Sequence, residues 1–76
     1  MFRNKDMSVI AFANGFTLWH YKSREDFLDN ICELRYFNKI FTLMNTGDIV
    51  IINGKDSTGI RQVELVGEDV WLRELK

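Results

Sequence analysis

The chain carries one histidine and one cysteine, His20 and Cys32. A histidine titrates near neutrality and can act as a general base, and a thiolate is a strong nucleophile. His20 stands between Trp19 and Tyr21 with no carboxylate near it in sequence to orient the ring, so a structural or surface role outweighs catalysis. Cys32 falls on an apolar stripe, where a free cysteine behaves as a small core residue. Two such residues do not complete a zinc site, and one cysteine makes no internal disulfide. Asp48, Asp56, Glu68 and Asp69 lie at turn-like positions but lack the ordered oxygen spacing of a calcium loop. Gly54 and Gly59 have nearly the spacing of a phosphate loop, yet Ile60 and Arg61 follow where Lys and Ser/Thr are needed. That segment is expected to be a solvated loop. The residues therefore predict no enzyme and no cofactor or metal.

The remaining chemistry-bearing group is aromatic: Trp19, Tyr21, Tyr36, Phe37 and Trp71. Such residues can stack nucleic-acid bases, but single-strand binders combine them with a basic groove. Here ten Lys and Arg are spread along the chain against eleven Asp and Glu, for a net charge of −1. This balance argues against nucleic acid as the main partner. Core packing or an interface between subunits is the expected role, since Trp and Tyr are enriched at interfaces.

The elements that position these residues are legible from periodicity and punctuation. Asn14-Gly15 between apolar stretches signals a hairpin through a type I′ turn, pairing Ser8–Ala13 with Phe16–Lys22. Within the second strand Phe16, Leu18 and His20 alternate with Thr17, Trp19 and Tyr21. Both faces carry large groups, so both are expected to be covered. Ser23, with Asp26 three residues on, resembles a capping box. Phe27, Leu28, Ile31, Cys32 and Leu34 then form one stripe of a helix of about three turns. Lys39 to Met44 suits either a short helix capped by Asn38 or a strand, and the helix is the preferred reading. A turn over Asn45–Asp48, containing Gly47, ends it. The β-branched run in Asp48–Asn53 reads as a central strand, followed by a polar loop over Gly54–Gly59, a strand over Ile60–Val66, a turn at Gly67-Glu68-Asp69 and a strand over Val70–Leu75. Trp71 faces away from Val70 and Leu72.

These elements predict a mainly β, α+β fold: a small curled antiparallel sheet or SH3-like partial barrel of about five strands, with a helical insertion after the second strand. The 76 residues form a single domain, with residues 1–7 as an N-terminal arm. A domain this small buries only roughly 60% of its unfolded surface, and without a disulfide or metal the remaining stabilising route is oligomerisation. No apolar run, Ile49 to Ile52 included, is long enough to span a membrane. The stretch from Met7 to Ala13, interrupted upstream by Asp6, is a poor signal-peptide core, so the chain is expected to be mature sequence that is not exported.

Gly15-Phe16-Thr17-Leu18-Trp19-His20-Tyr21-Lys22, then Tyr36-Phe37-Asn38, then Gly47-Asp48-Ile49-Val50 resembles a family of small phage and prophage proteins. Its members read as a Trp-His-Tyr strand, a short acidic helical stretch, Gly-Tyr-Phe-Asn, and a Gly-Asp-hydrophobic strand, closing with a Gly-containing loop and a Val-rich strand pair. The resemblance runs from about Gly15 to Val70. It departs at Glu33-Leu34-Arg35, where the family has small residues and a glycine, and at the bulkier Lys39 to Met44. The resemblance implies a non-enzymatic virion component (head fibre, decoration or tail-associated), trimeric and in contact with other virion proteins. Its implied location is the virion or the bacterial cytoplasm where virions assemble. Trp19, His20, Tyr21, Tyr36, Phe37, Asn38, Gly47, Asp48 and Trp71 are its interaction or structural candidates, some of the aromatics burying against a second copy. The alternative reading is a small barrel-like adaptor that binds a peptide or nucleic acid as a monomer.

Overall fold

A computed structural model describes residues 2–13, 15–33 and 35–74 of the chain. It opens with a 3₁₀ turn over Asn4–Asp6, followed by strands β1 (Met7–Ala13) and β2 (Phe16–Lys22). A helical turn α1 (Leu28–Ile31) and a 3₁₀ helix (Asn38–Leu43) come next, then β3 (Ile49–Asn53), β4 (Thr58–Val66) and β5 (Asp69–Glu74). The five strands form one open sheet in sequence order.

Three of the neighbouring pairs are antiparallel, but β2 and β3 are parallel, with Trp19 opposite Val50 and Tyr21 opposite Ile52. The sheet is therefore mixed rather than antiparallel throughout. The physical reason lies in residues 23–48. A parallel neighbour requires a crossover of a dozen residues or more, and this segment is long enough to cross the sheet and re-enter in the same direction. Hairpin turns make the other connections. Gly15, at φ 101°, occupies the β1–β2 turn, although Asn14 lies outside the described residues and the type I′ assignment with it. Gly67-Glu68 joins β4 to β5, with Gly67 at φ 62°. The polar loop expected over Gly54–Gly59 is shorter, because β4 already begins at Thr58 and Gly54 N–H closes on the Ser57 carbonyl at 2.9 Å. In β5 the strand is described as far as Glu74, and Leu75 lies outside the described residues.

The expected three-turn helix is a single turn. The Ser23 hydroxyl does accept the N–H groups of Glu25 and Asp26, at 3.2 and 2.9 Å, but this closes a turn and does not start a helix. Phe27 is extended (φ −74°, ψ 158°), and the helix begins after it. Its first N–H, that of Leu28, is capped by the Asp56 carboxylate from the β3–β4 loop at 2.9 Å. Downstream, Arg35 takes a left-handed φ of 74°, which is not helical. Ile31 is buried, and Leu28 and Cys32 pack beside it, while Phe27 is exposed. Leu34, the last residue of the stripe, lies outside the described residues. Asn38 is the first residue of the 3₁₀ helix and does not cap it. Its side chain instead reaches β5, donating to Asp69 Oδ1 at 2.8 Å and accepting from the Val70 N–H at 2.9 Å.

The core lies on one face of the sheet. Trp19, Tyr21, Val50, Ile52, Val63 and Val70 point into it, and Ile31, Phe37, Ile40 and Met44 close it from the crossover. Phe2 is also buried there, its ring stacked on Tyr21 at 5.5 Å between centroids. Within the expected N-terminal arm, Phe2 and Met7 pack against the core while Arg3, Asn4 and Lys5 between them are exposed.

Candidate interaction surface

Asp48 is fully buried at the entrance to β3. The Asn45–Asp48 turn closes with a 3.0 Å bond from Asp48 N–H to the Asn45 carbonyl. Gly47 sits in its third position at φ 99°, a conformation side chains rarely adopt. This turn aims the carboxylate back at β2. Oδ1 accepts the Thr17 N–H, and Oδ2 accepts both the Trp19 indole Nε1–H and the Asn45 N–H, all at 3.0 Å. The Asp48 carbonyl also accepts the Val63 N–H at 2.7 Å. Three N–H donors on a buried carboxylate satisfy it without a counter-cation. Asp48 thus ties the end of the crossover to β2 and β4 and fixes the Trp19 rotamer.

A second polar chain ties the middle of the crossover. Arg3 N–H donates to the Tyr21 hydroxyl at 3.0 Å, Tyr21 meets the Tyr36 hydroxyl at 2.9 Å, and Tyr36 donates to Asp26 Oδ2 at 2.5 Å. Burial, with the hydrogen bonds to Asp26 and Tyr21, pushes the Tyr36 phenol well above its ordinary pKa. Around this chain Phe2, Tyr21, Tyr36 and Phe37 make edge-to-face and stacked contacts with centroids 5.1 to 6.2 Å apart. Trp19, Tyr21 and Phe37 are buried within the chain itself, so they are not available to a second copy. Tyr36 is half-buried, and Trp71 is 39% exposed.

His20 lies on the opposite face of β2. Its Nε2 is 2.7 Å from Asn53 Nδ2, and the Thr58 hydroxyl donates to Asn53 Oδ1 at 2.6 Å. Asn53 of β3 thus bridges His20 of β2 and Thr58 of β4. Cys32 packs against the core, on the other side of the sheet from His20, and burial pushes its thiol upward. The two residues do not form a nucleophile–base pair. Among the described residues no group of three His, Cys, Asp or Glu side chains is placed to hold a metal ion.

The face that bears His20 is not covered by the crossover. Alternation puts Phe16 and Leu18 beside His20, and the register sets Ile49 between Leu18 and Gln62, and Ile51 between His20 and Ile60. Leu18, Ile49 and Ile51 are only half-buried and belong to no part of the core; Ile60 is 45% exposed. Trp71 lies on the same face but apart from this patch, with Gln62 and Glu64 of β4 between them and Arg73 paired with Glu64. The expectation that both faces of β2 are covered therefore fails: the crossover supplies apolar side chains for one face only. At one edge β1 exposes Val9, Ile10 and, at 82%, Phe12. Its register with β2 shifts between Val9 and Ala11, a bulge that interrupts the ladder.

Of the residues singled out from sequence, Asp48, Gly47 and Trp19 form one cluster, and Tyr21, Tyr36 and Phe37 form another. Asn38 bridges to β5, while His20 and Trp71 lie on the open face. Sequence reasoning missed Asp26 and Asn53 as partners of Tyr36 and His20. No short-range signal marks them, because His20 and Asn53 lie on different strands and Asp26 meets Tyr36 only through the fold of the crossover between them. Comparison with protein-family models, with curated proteins and with solved structures returns no match to this chain.

Proposed function

We propose that this chain is a non-enzymatic structural or assembly protein that acts by self-association through the open face of its sheet. The observation that carries the reading is the apolar patch of Leu18, Ile49, Ile51 and Ile60, left uncovered by the crossover on a sheet whose other face holds the core. Contiguous apolar surface with a polar rim is characteristic of interaction sites, and here His20, Lys22, Glu64 and Arg73 supply the rim. The likeness of the Trp-His-Tyr, Tyr-Phe-Asn and Gly-Asp segments to small phage and prophage proteins extends the proposal to a virion component, trimeric, bound to other virion proteins and assembled in the bacterial cytoplasm. No helix among the described residues is long and apolar enough to cross a membrane.

Light scattering on a size-exclusion column over a concentration series tests this. The expected result is a trimer that becomes a monomer in Ile51→Glu, with the variant's circular dichroism unchanged. A wild-type monomer at the highest concentration overturns self-association. A second reading then gains weight, that of a monomeric adaptor. It is favoured by β1, an edge strand without a charged residue, which can receive an extended peptide by strand addition.

A further inference from the structure

We propose that the cleft between the Asn4–Asp6 turn and the residues that follow β2 binds a small phosphoanhydride, an anion with at least two linked phosphate groups. The cleft has a volume of about 410 Å³, within the range of small-ligand sites. Its walls carry Arg3, Lys5, Lys22 and Arg24 against Asp6 and Glu25. Four of the ten Lys and Arg of a chain with net charge −1 thus meet in one place, a concentration that the linear sequence conceals.

One of the carboxylates is engaged: Glu25 pairs with Arg3 at 3.2 Å. Lys5, Lys22 and Arg24 have no hydrogen-bond or ion-pair partner among the described residues, which leaves three cations facing Asp6. The backbone beneath them is fixed from several directions. Arg3 N–H is bound to Tyr21, Asp6 N–H to the Arg3 carbonyl, and Ser23 N–H to the Asn53 carbonyl. The Ser23 hydroxyl closes the turn that carries Arg24 and Glu25. Long cationic side chains on a rigid base can converge on an anion without reordering the fold.

The lining selects charge rather than shape. It contains no aromatic and no branched aliphatic residue, so it offers nothing on which a base or sugar ring could stack. Two linked phosphates carry more charge than a single phosphate or sulfate and so draw more from these cations, with Arg24 offering a fork-like contact and the two lysines acting as point charges. The same phosphate chemistry occurs in a nucleic-acid backbone, but that ligand would need a basic stripe with stacking side chains, and this lining has no aromatic residue and includes two acids.

The test is an NMR titration of the isotope-labelled full chain with inorganic pyrophosphate, with sulfate at matched ionic strength, and with oligothymidylate. Saturable shifts of the backbone amides of Lys5 and of residues 22–25 are expected with pyrophosphate, at an affinity about tenfold above that for sulfate. The Lys22→Ala/Arg24→Ala pair is expected to weaken pyrophosphate about tenfold, as two exposed charge contacts contribute. Glu25→Gln releases Arg3 and strengthens binding about threefold. All three positions are exposed, so the fold is unaffected. Absence of saturable shifts, equal affinity for sulfate, indifference to the double variant, or tighter binding of oligothymidylate overturns the proposal.

Discussion

Replacing Asp48 tests whether the crossover is held by one buried carboxylate. In Asp48→Asn the retained oxygen can still accept the Thr17 N–H, but the new amide NH₂ faces the Trp19 indole N–H and the Asn45 N–H, donor against donor. Leaving a buried indole N–H without an acceptor costs about 1–3 kcal/mol, and losing a charge-assisted bond to the Asn45 amide adds about 1 kcal/mol. The expected destabilisation is therefore about 2–4 kcal/mol for Asn, and about 3–5 kcal/mol for Ala, which abandons all three donors. A domain of 76 residues has a total stability of roughly 4–11 kcal/mol, so either change removes a large share of it. Thermal unfolding followed by circular dichroism would show Asp48→Asn melting about 10–25 °C lower. Combining it with Trp19→Phe, which lacks the indole N–H, isolates the contact: in that background the Asn substitution should cost about 1 kcal/mol less. A melting shift below about 2 °C for Asp48→Asn, or strict additivity with Trp19→Phe, would refute the reasoning.

The two tryptophans should separate cleanly in urea unfolding. Trp19→Ala empties a core position and is expected to cost about 3–5 kcal/mol, whereas Trp71→Ala on the open face should cost the folded monomer less than about 1 kcal/mol. A methyl group at Gly54 would lie 2.6 Å from the Leu28 backbone nitrogen and 2.9 Å from its Cα. Gly54→Ala should therefore destabilise by about 1–3 kcal/mol, measured as a lowered urea midpoint, because backbone on both sides must shift. Tyr36 keeps its proton in the folded chain while an unfolded tyrosine loses it near pH 10, so its contribution is complete below that pH and declines above it. Denaturant midpoints measured from pH 8 to 11 should fall more steeply in wild type than in Tyr36→Phe; parallel curves would exclude the assignment.

Local chemistry in the sequence determined most of the strands. Gly15, Gly47 and Gly67 mark turns because each holds a positive φ, and the alternation in Phe16–Lys22 and the β-branched run after Asp48 specify strands at the right places. Trp71 turning away from Val70 and Leu72 follows from the two-residue period alone. The same local rules overreached between Ser23 and Met44. The apolar stripe at Phe27, Leu28, Ile31 and Cys32 has helical spacing, yet only one turn forms: the Asp56 cap and the close approach of Gly54 set its start at Leu28, and Arg35 downstream is not helical. Those contacts come from a loop far along the chain, and periodicity carries no information about them.

What only the tertiary structure decided is direction and cover. Strand propensity is the same for a parallel and an antiparallel neighbour, so the alignment of β3 with β2 depended on where the crossover delivers the chain, and that is set by the Asp48 and Tyr36 contacts. The side of β2 that would be buried was equally undetermined, since Leu18 is as apolar as the residues flanking it. Crossover packing on the Trp19 and Tyr21 side leaves Leu18, Ile49 and Ile51 facing outward. The convergence of Arg3, Lys5, Lys22 and Arg24 is of the same kind. A linear sequence fixes how many charges a chain carries, while long-range packing fixes where they meet.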